Sequence, residues 1–111
     1  MKNGFKLALI AAFSVMAGIA AATQRTRAAA SAEELNPRSL FIQNCARCHG
    51  SDGRANTAKG RELDAPALTN LDKSVASIER TIRNGRDDMP AFGKKLTAKQ
   101  IAAIAGYVRS L

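Results

Sequence analysis

The chain has 111 residues, with 17 Lys and Arg against 9 Asp and Glu and a formal net charge of +8. That length suits one domain whose core would be marginal if built from side chains alone. With no Trp, one Tyr, four Phe and no dense basic run, it lacks the stacking platform and cationic stripe of a nucleic-acid binder.

Part of the basic excess sits at the start. Lys2 and Lys6 are followed by Leu7 to Ala22, an apolar run of 16 residues without a charge. This is the layout of a secretory signal. A membrane span needs roughly 20 such residues, so an uncleaved N-terminal anchor is the secondary reading. Cleavage is open at Ala20-Ala21-Ala22, Ala28-Ala29-Ala30 or Ala30-Ser31-Ala32. No cysteine stands near these points to take a lipid. The expectation is a signal peptide over residues 1–30 and a single domain over 31–111, exported to the periplasm or held on the outer face of the cytoplasmic membrane. Without the leader, 13 basic side chains face 9 acidic ones, a net charge of +4.

After a polar lead-in, Asn36 is a good N-cap and Pro37 suits the first helical position, where a missing N–H costs nothing. A helix is predicted from Pro37 to about Ala46, with Leu40, Phe41, Asn44, Cys45 and Cys48 at helical intervals. Phe41 lies one turn ahead of Cys45, and core packing accounts for it. Then comes Cys45-Ala46-Arg47-Cys48-His49. Cys-x-x-Cys-His is the spacing that attaches a c-type haem. Two thiols three positions apart reach the vinyl groups of one porphyrin, and the adjacent His49 lies beneath the iron. A redox dithiol would want a thioredoxin-like βαβ pattern, which is not visible. A structural zinc needs four ligands, yet His49 is the only histidine and these are the only cysteines. A disulfide closing so small a ring restrains little of the unfolded chain. Export strengthens the haem reading, because in bacteria that attachment takes place outside the cytoplasmic membrane.

Gly50 to Asn70, rich in Gly, Ser, Asp, Asn and Thr, reads as loop. Within it Pro66 keeps a carbonyl but has no N–H. Metal-bound histidines usually give their second N–H to such a carbonyl, so Pro66 is either the orienter of His49 or a simple turn proline. Ser74 caps a predicted helix from Val75 to Asn84 with Gly85 at C′. Its apolar stripe is Val75, Ile78 and Ile82, and Arg80 and Arg83 near its end suit the helix dipole. The following polar loop contains Met89 and Pro90. Met1 and Met16 fall in the leader, so Met89 is the only methionine of residues 31–111. A lone thioether there, stiffened by a proline, is placed to be the sixth ligand of a haem iron; Lys94 and Lys95 are the remaining candidates. The last helix opens on the capping box Thr97-Ala98-Lys99-Gln100, with Leu96 and Ile101 as a hydrophobic staple. Ile101, Ile104, Ala105, Val108 and Leu111 form its buried stripe, Tyr107 lies beside it, and Gly106 would let another backbone approach.

Together these segments resemble a class I c-type cytochrome from Asn36 to Leu111. Leu40 to Gly50 is similar to the family's first helix and haem-binding segment. Ala65-Pro66-Ala67-Leu68 resembles the stretch whose proline carbonyl accepts from the ligand histidine. Gly85 to Phe92 resembles the axial-methionine loop, and Ile104 to Leu111 the C-terminal helix. The family often has a glycine eight residues before the first haem cysteine, where this chain has Pro37; Gly106 is the candidate to permit the close crossing instead. The resemblance implies an all-α fold of about three to four helices around one covalent haem c. It implies iron ligands His49 and Met89, attachment at Cys45 and Cys48, and contacts from Pro66, Leu68 and Phe41. Phe41 and Tyr107 fit the aromatic pair at the crossing of the terminal helices.

The expected function is one-electron transfer between redox partners outside the cytoplasmic membrane, with no catalytic residue. Lys94, Lys95 and Lys99 are placed to meet partners with acidic docking surfaces, or are simply solvated. Membrane contact is expected only through an uncleaved N-terminus or a membrane-complex partner. Two alternatives are an anchored electron-entry subunit of a larger oxidase or dehydrogenase and a haem peroxidase or gas binder. The last needs an open iron position, against which Met89 argues.

Overall fold

The computed structural model describes residues 35–111. The leader expected over residues 1–30 lies outside them. The described elements are α1 (Pro37–Asn44), α2 (Ala46–His49), α3 (Ala58–Glu62), α4 (Val75–Asn84) and α5 (Ala98–Arg109). Among the described residues there is no strand, only one antiparallel bridge between Arg86 and Met89, and no helix is long and apolar enough to cross a membrane. The all-α expectation holds. Among the described residues, three helices have eight or more residues and two are single turns.

Helix α1 starts as its sequence dictates. The Asn36 side chain accepts from the Ser39 amide at 2.9 Å, and Pro37 fills the first position. It stops at Asn44, short of the expected Ala46. Cys45 leaves helical geometry at φ −119°, and Asn44 Nδ2 donates to the Leu40 carbonyl at 2.8 Å, engaging an acceptor of the last turn. The chain restarts at once as α2, with the His49 amide donating to the Cys45 carbonyl at 3.0 Å. The two cysteines therefore lie at the head and inside of a separate short turn rather than along one continuous helix.

Helix α3 falls inside the stretch expected to be loop, and this is a correction. The Thr57 hydroxyl accepts from the Gly60 amide at 2.8 Å and caps it. Gly60, unfavourable by about 1 kcal/mol in a helix interior, concealed the turn. Helix α4 has the predicted bounds: Ser74 caps it through the Ser77 amide at 3.2 Å, and Gly85, at φ +72°, ends it. Val75 is 39% exposed, so Ile78 and Ile82 alone form its buried face. Helix α5 carries the complete capping box. Gln100 donates its amide to Thr97 Oγ1 at 3.2 Å, and Thr97 donates its own to Gln100 Oε1 at 2.9 Å.

α5 packs against both α1 and α4. The core is Leu40 and Phe41 from α1, Ile78 and Ile82 from α4, and Ile101, Ile104, Ala105 and Val108 from α5. Leu111, expected in the stripe, is only partly buried against it. Phe41 is fully buried, and its ring meets Tyr107 with centroids 5.3 Å apart and planes inclined by 56°. That tilted geometry suits the ring quadrupoles and adds about 0.5–1.5 kcal/mol beyond area burial. Gly106 does not serve a close crossing: among the described residues nothing lies within 4 Å of a Cβ built there. It faces outward, and the fully buried Ala105 is the small residue on the packed side.

Ile104→Ala, at the centre of this core, is expected to lower the unfolding free energy by about 2–5 kcal/mol. Thr97→Ala, which removes one cap, should cost only about 1 kcal/mol. Urea denaturation of both variants checks the order; a reversed ranking would mean that the end of α5, not its buried face, holds the helix in place.

Candidate cofactor site

A one-turn helix has carbonyls at its end with no partner inside it, and in α2 each finds one elsewhere. The Ala46 carbonyl accepts from the Gly50 amide at 2.9 Å, and that of His49 accepts from the Ala55 amide at 2.7 Å. The carbonyls of Arg47 and Cys48 both accept from the Thr57 hydroxyl, each at 2.9 Å. The turn that carries Cys48 and His49 is thus fastened to the loop that follows it. Gly60 permits this. A Cβ there would collide with the Cys48 carbonyl, and would lie 2.7 Å from the Ala55 carbonyl and 2.9 Å from Thr57 Oγ1.

His49 is buried, at 7% exposure, and its Nδ1 donates to the Pro66 carbonyl at 3.0 Å. Pro66, expected as either orienter or turn proline, is exposed while its carbonyl takes the imidazole N–H. Pro66 is itself fixed from both sides. The Ala65 amide donates to the Gly60 carbonyl at 2.8 Å, and the Leu68 amide to the Gly53 carbonyl at 2.6 Å. With Nδ1 so engaged, Nε2 is the ring nitrogen that remains to meet a ligand.

Met89 is held by a different device. The last carbonyls of α4 are taken by the returning arm of its loop: Phe92 donates to Ile82 at 2.9 Å and Gly93 to Arg83 at 3.0 Å. Within the loop, Arg86 and Met89 exchange both backbone hydrogen bonds, at 3.1 and 2.8 Å, and Asp87 takes a left-handed conformation at φ +50°. Gly85 does more than end the helix. A Cβ on it would lie 2.6 Å from the Met89 carbonyl and 2.8 Å from the Ala91 amide, so the loop folds directly over it. Met89, Cys45 and Leu68 are each partly buried against the cluster that contains Phe41. Cys48 is half-buried, while Lys94, Lys95 and Lys99 are exposed. Burial pushes the Cys45 thiol up to about 11, with Lys95 pulling it down and Cys48 adding to the rise.

The family model described as cytochrome c oxidase, cbb3-type, subunit III matches residues 32–108. A cytochrome c6 from Aphanizomenon flos-aquae is 37% identical over 78 residues, covering 69% of this chain and 88% of that protein. The chain belongs to this family of class I c-type cytochromes. A cbb3-type cytochrome c oxidase subunit CcoP from Azospirillum brasilense is 36% identical over 93 residues, which is 79% of this chain but 31% of that protein. A second oxidase subunit, FixP from Azorhizobium caulinodans, is 37% identical over 73 residues, 65% of this chain and 25% of its own length. The chain therefore spans about a third or less of these oxidase subunits.

The cofactor of this cytochrome is one covalently attached haem c, and the residues present fit it. Two free thiols, Cys45 and Cys48, stand three positions apart. A buried imidazole has its second nitrogen engaged, and a thioether lies half-buried in a closed loop. Nitrogen and sulfur are a donor pair that haem iron takes in cytochromes c. Thr57 and Gly60 escaped the sequence reading as parts of this site. The sole trace of them was a capping residue three positions before a glycine.

Gly85→Ala introduces both a positive-φ penalty of about 1–3 kcal/mol and a clash with the Met89 backbone. We expect lower thermal stability and displaced amide resonances over residues 86–93. Unchanged resonances there would mean that the loop does not rest on Gly85.

Proposed function

We propose that this cytochrome is a one-electron carrier. In this reading Cys45 and Cys48 form the thioether attachments, His49 and Met89 are the axial ligands, and residues 1–30 direct export to the periplasm. The observation that carries the reading is the buried His49 imidazole, its Nδ1–H given to the Pro66 carbonyl, in a chain spanning most of a cytochrome c6.

Bound haem c supplies a one-electron iron couple, whose potential a methionine ligand raises. The chain's own residues do the rest. The Pro66 carbonyl fixes the tautomer and rotation of His49, so the nitrogen that would bind the iron is held in one direction. The Arg86–Met89 bridge and the contacts of Phe92 and Gly93 with α4 hold the thioether in one place. Donors held this way need move little between oxidation states, which keeps reorganisation small. Leu68, Phe41 and the partly buried Met89 keep water from the ligands and favour the less charged state. No side chain is required to exchange a proton, in keeping with a carrier rather than a catalyst.

A second reading is supported by the family model and by the CcoP and FixP relatives: an electron-entry domain of a membrane oxidase. Both readings place the same ligands on the same residues and differ in the fixed partner. The intact mass of the protein isolated from its own membrane and periplasmic fractions discriminates them. A cleaved, soluble species supports the shuttle, whereas a full-length, membrane-bound one supports the subunit.

Met89→Ala should abolish the weak near-infrared band of a ferric thioether bond and lower the reduction potential. An unaltered spectrum and potential would remove Met89 from the ligand set. A wild-type spectrum that is high-spin and shifts with carbon monoxide would instead favour a gas-binding or peroxidase function.

Lys94, Lys95 and Lys99 are exposed soon after the methionine loop, with the Lys95 ammonium 5.8 Å from the centre of the Phe92 ring. We propose that they steer acidic partners. Changing all three to Gln should slow association with an acidic redox partner by about tenfold or more at low ionic strength. The difference should fade as salt is added, which stopped-flow kinetics across a salt series measures; equal rates at every ionic strength would leave these lysines as solvated charges only.

A further inference from the structure

The Thr57 hydroxyl stands at a junction that the proposed electron-transfer role does not by itself require. It donates to the carbonyls of Arg47 and Cys48, both at 2.9 Å, and accepts from the Gly60 amide at 2.8 Å. Its first two partners lie in α2, beside His49. Its third lies in α3, whose Gly60 carbonyl accepts from Ala65 at 2.8 Å, next to the proline that orients the His49 ring. One hydroxyl therefore links the two residues before His49 to Gly60, whose own carbonyl holds Ala65, the neighbour of Pro66. A hydroxyl offers one proton and two lone pairs, so it serves as shared donor to two carbonyls and acceptor to one amide at once. Valine matches threonine in shape but has neither function.

We propose that Thr57 is a positioning residue for His49, keeping the ring and the Pro66 carbonyl in register by tying α2 to α3. This rests on the reading of His49 as the iron ligand. Glu62 and Lys59, which pair with each other at 2.7 Å on the same short helix, take no part in it. The methyl of Thr57 is not the operative group; the hydroxyl is.

The test follows the His49 Nδ1 proton by NMR in the reduced, haem-loaded protein. In Thr57→Val its exchange with solvent should accelerate by about three- to tenfold, the ratio given by the net worth of one hydrogen bond. Thr57→Ser, which keeps the hydroxyl, should restore the wild-type rate. Ile104→Val, a core variant remote from this junction in sequence and carried by α5, is the control for general loosening and should leave the rate unmoved. Equal exchange in Thr57→Val and wild type would overturn the proposal, as would acceleration in Ile104→Val of the same size. Should Thr57→Val fail to load haem, the wild type still decides. The Gly60 amide, bonded to the Thr57 hydroxyl, is then expected to be protected from exchange, and an unprotected Gly60 overturns the junction. His49 ring signals without the large upfield displacement of a haem ligand would instead overturn the underlying assignment of His49, an outcome visible in the wild type before any Thr57 variant is made.

Discussion

The hydrogen bond from His49 Nδ1 to the Pro66 carbonyl is the constraint on which the rest of this structure depends. It joins residues 17 positions apart at 3.0 Å. A buried imidazole whose N–H found no acceptor would be costly, so the carbonyl must be present and must stay. A proline carbonyl in an exposed loop is not rigid by itself. The loop is made rigid by backbone bonds at close intervals: Ala55 to His49, Ala65 to Gly60, and Leu68 to Gly53. Each brings two backbone segments together, and two glycines make room for the contacts. A Cβ on Gly60 would strike the α2 backbone, and one on Gly53 would lie 2.7 Å from the Leu111 side chain. Gly60 has to be small because backbone forms the wall there, whereas Gly53 also takes φ +73°, a conformation that favours glycine.

The methionine side is built on a separate principle. A helix of ordinary length ends with unpaired carbonyls that usually go to water or to a cap. In α4 they are given to Phe92 and Gly93, so the end of the helix becomes the anchor of the loop. Asp87 supplies the left-handed turn that a β-branched residue would resist. The two arms hang from different helices, and both rest on the apolar cluster of α1, α4 and α5. A loss in one arm need not propagate to the other except through that shared core.

What could be read in the sequence was whatever is encoded locally. Asn36-Pro37, Ser74 with Gly85, and Thr97 with Gln100 each specify a helix end within a few residues, and those boundaries match. The CxxCH spacing and the lone Met89 are local in the same sense. What could not be read depends on contacts distant in the chain. Gly60 argued against α3 because its cost is local, while its reason, room for the Cys48 carbonyl, comes from a residue twelve positions earlier. Pro66 was undecided between turn and orienter, since only the fold brings its carbonyl to His49. Gly106 misled in the opposite way: a glycine on a helix suggests a close crossing, yet its position on the turn directs it outward, and Ala105 faces the core. Val75 satisfied the helical period but sits in the first turn of α4, where the stripe has not yet reached the core.

The same segment aligns with a short cytochrome c6 and with oxidase subunits several times longer. A domain that recurs in both settings must contain whatever fixes its ligands, because what surrounds it differs. The proposed ligands fit that requirement. Among the described residues, the hydrogen bonds that hold His49 and its turn come from residues 45 to 68, and the backbone hydrogen bonds that hold the Met89 loop come from residues 81 to 93. The two proposed settings, free carrier and oxidase subunit, therefore differ in what is attached to the domain and in which charges meet the partner, while the demands on the ligand-bearing loops are the same in both. That separation leaves the choice of partner to surfaces outside these loops, and the exposed Lys94, Lys95 and Lys99 are the ones we propose for it.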